Sequence, residues 1–135
     1  CRTFPGDKDW PADSEWRALN ETVEGALIKP VPRAAVCHLD WPEHYDAQKC
    51  AELLRNYGNF EDRVAHPTDL IYVYFSGSSC LPTTNASSPC TTKGDPAYVV
   101  NATNPAHISA AIAFARQKNV RLVVKNTGHD VSGKS

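Results

Sequence analysis

At 135 residues the chain is long enough for one domain with a core of its own, and 41% hydrophobic with 21% charged residues is a globular balance that excludes wholesale disorder. A formal net charge of −1 excludes a nucleic-acid or anionic-membrane surface as the main partner. No apolar run approaches the roughly 20 residues that cross a bilayer, so no membrane partner is expected either.

The chain begins at Cys1 and contains no Met, as expected of a mature product after removal of a signal or pro-segment. Residues 1–12 hold Pro5, Gly6 and Pro11 among charges and read as an irregular arm. Asp13 or Ser14 is expected to cap a short helix carrying Trp16, Leu19 and Val23, which Gly25 ends. Residues 26–29 suit a short strand, halted by Pro30 and Pro32. Between Tyr45 and Tyr57 the positions Ala47, Cys50, Ala51, Leu53 and Leu54 keep a helical period, and Gly58 supplies the stop. Residues 70–75 are continuously apolar and aromatic, so they are extended or deeply buried. Residues 76–96, rich in Ser, Thr, Pro, Asn and Gly, read as a surface loop.

The pattern then becomes regular. Residues 98–100 make a short strand, Asn104 caps and Pro105 opens a helix, and Ile108, Ala111, Ile112 and Ala115 follow its period. Asn119 suits the left-handed turn that ends the helix, and 120–124 read as a second, buried strand. A helical crossover between the strands implies parallel pairing, hence a βαβ unit in an α+β or α/β domain.

Five cysteines and three acceptor sequons, at Asn20, Asn85 and Asn101, favour a secreted glycoprotein in an oxidising compartment. Local closure favours a Cys80–Cys90 disulfide, with Cys37–Cys50 as a reasonable second and Cys1 left over, although the sequence leaves other pairings open. No C-x-x-C spacing occurs, and His38, His44, His66 and His107 form no ligand pair at helical spacing, so no metal site is expected.

The strand at 120–124 leads into a polar loop, 125–135, punctuated by Gly128 and Gly133. Such glycines allow tight turns and close backbone approach, and unpaired N–H groups in the loop can converge on an anion, as in a pyrophosphate cradle. Lys125 and Lys134 offer charge compensation. A literal G-x-x-x-x-G-K-S match, Gly128 to Ser135, raises a nucleotide-triphosphate reading, against which stand the missing magnesium and water-positioning elements and the disulfide-bearing character of the chain. By spacing alone His129 is a loop histidine with local hydrogen bonds. A further alternative is a small secreted, disulfide-bonded binding module without cofactor, with residues 70–75 as its contact surface.

The run Val123-Val-Lys-Asn-Thr-Gly-His-Asp-Val-Ser-Gly-Lys-Ser135 resembles the pyrophosphate loop of FAD-linked oxidases of the vanillyl-alcohol oxidase and p-cresol methylhydroxylase superfamily. It is most similar to the fungal secreted branch related to berberine bridge enzymes. The segments 98–116, 80–90 and 5–11 resemble the same branch. The resemblance implies the N-terminal part of a two-subdomain FAD-binding domain of the p-cresol methylhydroxylase type, with a βαβ unit leading into the pyrophosphate loop. Residues 1–65 would then be an N-terminal arm with helices, and 66–135 the first part of the FAD-binding domain.

The resemblance also implies that His129 is bonded covalently to the flavin 8α-methyl group. It places Asn126, Thr127, Gly128, Asp130, Ser132, Gly133 and Ser135 at the cofactor. A second flavin link in many relatives comes from a downstream cysteine that is not in this chain. The implied partners are the C-terminal remainder of the same polypeptide, a small-molecule substrate and O2, and the implied activity is oxidation of an alcohol or related C–H with formation of H2O2. The substrate pocket and the catalytic base are expected beyond Ser135.

Overall fold

The computed structural model describes residues 1–69, 79–92 and 94–129. Residues 70–75, and with them the proposed contact surface, lie outside the described residues. In chain order the elements are α1 (Asp13–Thr22), β1 (Leu27–Ile28), a 3₁₀ turn (Arg33–Cys37), α2 (Ala47–Asn56), α3 (Phe60–Ala65), β2 (Val99–Val100) and α4 (Pro105–Gln117). They group into two compact units, one of Cys1–Lys29 with Ala97–Val124, the other of Pro30–Pro96 with Lys125–Ser135.

In the first unit α1 starts one residue earlier than the cap residues suggest. Its N-cap is Ala12, whose backbone N–H donates to Glu15 Oε2 at 2.9 Å, so Asp13 is already inside the helix. Glu15 reaching back takes the place of a hydroxyl or carboxylate cap, and it also pairs with the Lys118 ammonium at the end of α4. These two contacts hold the Glu15 carboxyl below its usual value, the Lys118 hydrogen bond most strongly. Trp16, Leu19 and Val23 form the buried stripe of α1. The Trp16 ring stacks on Tyr98 at 4.0 Å and 19°, and lies tilted against Phe114 at 4.8 Å and Trp10 at 5.5 Å. Its Nε1–H is buried with no hydrogen-bond acceptor among the described residues.

Gly25, at φ 85°, turns the chain from α1 into β1, a conformation that strains any residue with a side chain. β1 pairs antiparallel with β2, Leu27 opposite Val100 and Ile28 opposite Val99. Asn104 caps α4 by accepting from the His107 N–H at 3.0 Å, Pro105 occupies the first turn, and Asn119 adopts φ 55° after the last turn.

Two expectations change here. The packed face of α4 is Ala110, Phe114 and Ala115, whereas Ile108 and Ile112 stand half exposed. The helix is apolar on two sides, and the periodic count of Ile and Ala could not show which side meets Trp16. The expected parallel βαβ pairing is also absent among the described residues. Val120 makes one parallel bridge, to Thr3, and Leu122, Val123 and Val124 are exposed. The arm at 1–3 takes the partner position instead, through Thr3 N–H to Asn119 O at 3.1 Å and Asn119 Nδ2–H to Cys1 O at 2.8 Å.

The second unit is tied by two disulfides, Cys37–Cys50 and Cys80–Cys90, and Cys1 is free and exposed. Its core is Ala34, Cys37, Cys50 and Leu53, so the 3₁₀ turn packs on α2 around a bridge. α2 is capped by Asp46, whose carboxylate accepts from Gln48 and Lys49 N–H at 3.0 Å each. The Ser- and Thr-rich segment after Ser79 has no regular structure among its described residues, yet it is latched. The fully buried His38 ring lies between two of its carbonyls, Nδ1 2.7 Å from Ser88 O and Nε2 2.9 Å from Leu81 O. Trp41 Nε1–H donates to Cys90 O at 3.1 Å, and Cys90 N–H donates to Asp40 Oδ2 at 2.9 Å.

Candidate cofactor site

The described part of the glycine loop, residues 125–129, belongs to the second unit and contacts α3, a six-residue helix absent from the sequence-based expectations, through Lys125 and His129. α3 exists because Asn59 caps it, accepting from Glu61 N–H at 2.9 Å and Asp62 N–H at 3.4 Å, and because its one buried residue is held firmly. That residue is Arg63. Its Nε–H donates to Tyr57 O at 3.0 Å and its guanidinium lies 4.6 Å over the Tyr57 ring. Arg33 braces the other side, 3.4 Å from Asp62 and 3.1 Å from Asp69. A helix this short has little stability alone, so tertiary contacts decide its presence.

The loop meets both ends of α3. The Lys125 ammonium donates to the carbonyls of Val64, at 3.4 Å, and of His66, where the helix leaves its last carbonyls unpaired. Burial pushes the Lys125 amine below its ordinary value, with the Asp69 carboxylate opposing that shift. Asn126 and Thr127 are exposed, and Gly128 is buried at φ 81°, where a Cβ would be strained. His129 follows, exposed, with its ring 5.5 Å from the Phe60 ring at 53°. Of the expected cofactor residues, Asn126, Thr127, Gly128 and His129 thus form one continuous turn. Asp130, Ser132, Gly133 and Ser135 lie outside the described residues, as do the Lys134 and Ser135 positions of the Walker-like match.

Chemically, the described turn offers a solvent-facing imidazole on a backbone that glycine allows to approach a ligand closely. Both features suit a flavin dinucleotide: a ring nitrogen able to act as a nucleophile, and a turn without a side chain at its tightest point. Phe60, and Arg33 and His66 beneath the loop, were not legible as site residues. The signal that could have pointed to Phe60 was the Gly58-Asn59 pair before it, a stop followed by a helix cap.

Below the loop, His66 Nδ1 accepts from Thr68 N–H at 3.4 Å and lies 3.7 Å from Asp69 Oδ1. Burial lowers the His66 pKa from 6.5, the Asp69 charge opposes that shift, and Arg33 and Lys125 reinforce it. A depressed folded-state pKa means that the unfolded chain binds the proton more readily, so the stability His66 contributes is present above pH 6.5 and is lost as pH falls through the depressed value. The melting temperature of the protein should therefore fall between pH 7 and pH 5 less steeply in a His66→Gln variant than in the parent. Equal slopes would show that this imidazole does not titrate between the two states.

No protein-family profile matches the sequence. The chain is 46% identical over 136 residues to the VAO-type flavoprotein oxidase VAO615 of Thermothelomyces thermophilus, a match covering 100% of this chain and 24% of that protein. It is 40% identical to the bifunctional decalin synthase calF of Penicillium decumbens, covering 100% of this chain and 24% of the relative. With the FAD-linked oxidoreductase sor8 of Hypocrea jecorina it shares 38% identity, over 100% of this chain and 23% of the relative. The crystal structure of the VAO-type flavoprotein MtVAO615 from Myceliophthora thermophila C1 matches with a TM-score of 0.93 at 46% identity, covering 100% of this chain and 25% of that one. MtVAO713 from the same organism matches with a TM-score of 0.88 at 33% identity, over 98% and 23%. The chain spans about a quarter of the length of these relatives. By sequence and by fold the whole chain is similar to about a quarter of each of these VAO-type flavoproteins.

Proposed function

We propose that this chain is the N-terminal portion of a secreted flavoprotein oxidase that binds FAD covalently through His129 and oxidises an alcohol or related C–H substrate, with O2 reduced to H2O2. The observation that carries the reading is the exposed His129 imidazole on the Gly128 turn, in a chain matching VAO-type flavoproteins along its whole length. A bound FAD would supply the two-electron chemistry; the chain supplies position and electrostatics. Gly128 admits the diphosphate to the backbone, Asn126 and Thr127 offer side-chain hydrogen bonds at the mouth of the turn, and His129 holds the flavin ring by a bond. Asp130, Ser132, Gly133 and Ser135 continue the diphosphate cradle, within residues 66–135 as the first part of the FAD-binding domain.

The remainder of the polypeptide supplies the substrate pocket and the catalytic base, and it covers apolar surface that the first unit leaves open. Ile108 and Ile112 on α4 and Leu122, Val123 and Val124 after it form an exposed apolar set that a free-standing domain would bury. Secretion is supported by the two disulfides and by the sequons at Asn85 and Asn101, both exposed, with the third at the partly buried Asn20. No helix among the described residues is long and apolar enough to cross a membrane. The test is a visible absorption spectrum of the complete protein before and after anaerobic addition of a panel of alcohols. A flavin spectrum bleached by at least one alcohol, with H2O2 appearing on readmission of air, is the expected result. A colourless, correctly folded protein would refute it.

A further inference from the structure

The two ends of the described loop, Lys125 and His129, contact the two ends of one short helix. Lys125 reaches the last carbonyls of α3, and His129 lies against Phe60 on its first turn. Phe60 is 48% exposed, so the fold does not bury it as core, and its ring lies tilted against the imidazole. α3 itself is fixed by the buried Arg63 and by Arg33. Resting on the covalent-flavin reading above, we infer that α3 is a template for the loop, with Lys125 and Phe60 as positioning residues that aim the His129 imidazole for bond formation to the cofactor. Lys125 is then an anchor and not a diphosphate counterion, since its ammonium is engaged by backbone carbonyls beneath the loop. Phe60 limits the rotation of the imidazole by a tilted ring contact, the geometry that aromatic pairs favour.

Attachment is a balanced oxidation. One hydrogen leaves the flavin methyl group and one leaves the imidazole nitrogen as the C–N bond forms, and O2 accepts both hydrogens to give H2O2. Orientation of the attacking nitrogen should limit the rate of this step, while initial FAD affinity depends on the diphosphate cradle.

The experiment uses apoprotein of the complete polypeptide, prepared under flavin limitation and then mixed with FAD. Non-covalent binding is followed by quenching of flavin fluorescence, and covalent attachment by flavin fluorescence in denaturing gels. Phe60→Ala is expected to slow attachment about tenfold with less than about threefold change in initial affinity, and Phe60→Tyr to restore the rate. Lys125→Met is expected to slow attachment in the same way, with partial rescue in Lys125→Arg. Attachment at the parent rate in both Phe60→Ala and Lys125→Met would overturn the inference while leaving the covalent-flavin reading intact. Equal losses of affinity and rate together with a lowered melting temperature in Phe60→Tyr as well as Phe60→Ala would also overturn it, because they mark a packing role. Parent protein that never attaches flavin would overturn both.

Discussion

Replacing Trp16 by Ala is expected to cost the first unit about 3–5 kcal/mol, the range for deletion of a buried aromatic side chain. The ring is 7% exposed and sits at the centre of a cluster made by Trp10, Tyr98 and Phe114, so its loss opens a cavity between α1, β2 and α4. None of these neighbours can fill it without leaving its own contact. Trp16→Phe should cost much less. It keeps an aromatic face against Tyr98 and removes the buried Nε1–H that lacks an acceptor among the described residues, a group whose burial itself costs about 1–3 kcal/mol. Urea unfolding of the two variants, followed by tyrosine and tryptophan fluorescence, checks the ranking. Equal losses would mean that the indole nitrogen has an acceptor supplied from elsewhere in the complete protein.

Replacing His129 by Ala is expected to remove histidyl attachment of the flavin altogether while leaving the fold unchanged. The ring is exposed and lies tilted against the half-exposed Phe60, so truncation opens no core cavity. Acid-precipitated His129→Ala protein should release its FAD into the supernatant unless a downstream cysteine supplies a second link. A double variant that also lacks that link separates the cases: complete release is expected, and retained flavin would contradict the assignment of His129. Its melting temperature without cofactor should match that of the parent apoprotein.

Several local features of this chain were legible, and its long-range pairings were not. Asn104 and Pro105 announce α4 because a cap and a first-turn proline act within one turn. The glycine loop could be proposed as a cofactor loop for the same reason: the chemistry it suggests is carried by adjacent residues. α3 was missed because six residues carry little periodicity and because Arg33, which braces it through Asp62, lies 29 positions away in sequence. The strand expected at 120–124 has the right composition, but pairing needs a neighbour that composition does not name, and the bridge that forms comes from Thr3 at the far end of the chain. His38 shows the same limit. Nothing in its surroundings marks it as the clasp of a segment some fifty positions away, yet it is almost fully buried between the carbonyls of Leu81 and Ser88.

The site is a layered arrangement. The loop carries the groups proposed to hold the cofactor, α3 sits beneath its described residues, and Arg33 braces α3 through Asp62 while also pairing with Asp69, beside the partly buried His66. Each layer is short, so precision at His129 depends on side-chain contacts more than on regular structure.

The most direct test of this account is mass analysis of peptides from the acid-precipitated, protease-digested complete protein. The account predicts a peptide spanning His129 that carries the mass of the flavin, with fragmentation placing the bond on the imidazole. An unmodified His129 peptide from a preparation with stoichiometric flavin would contradict it.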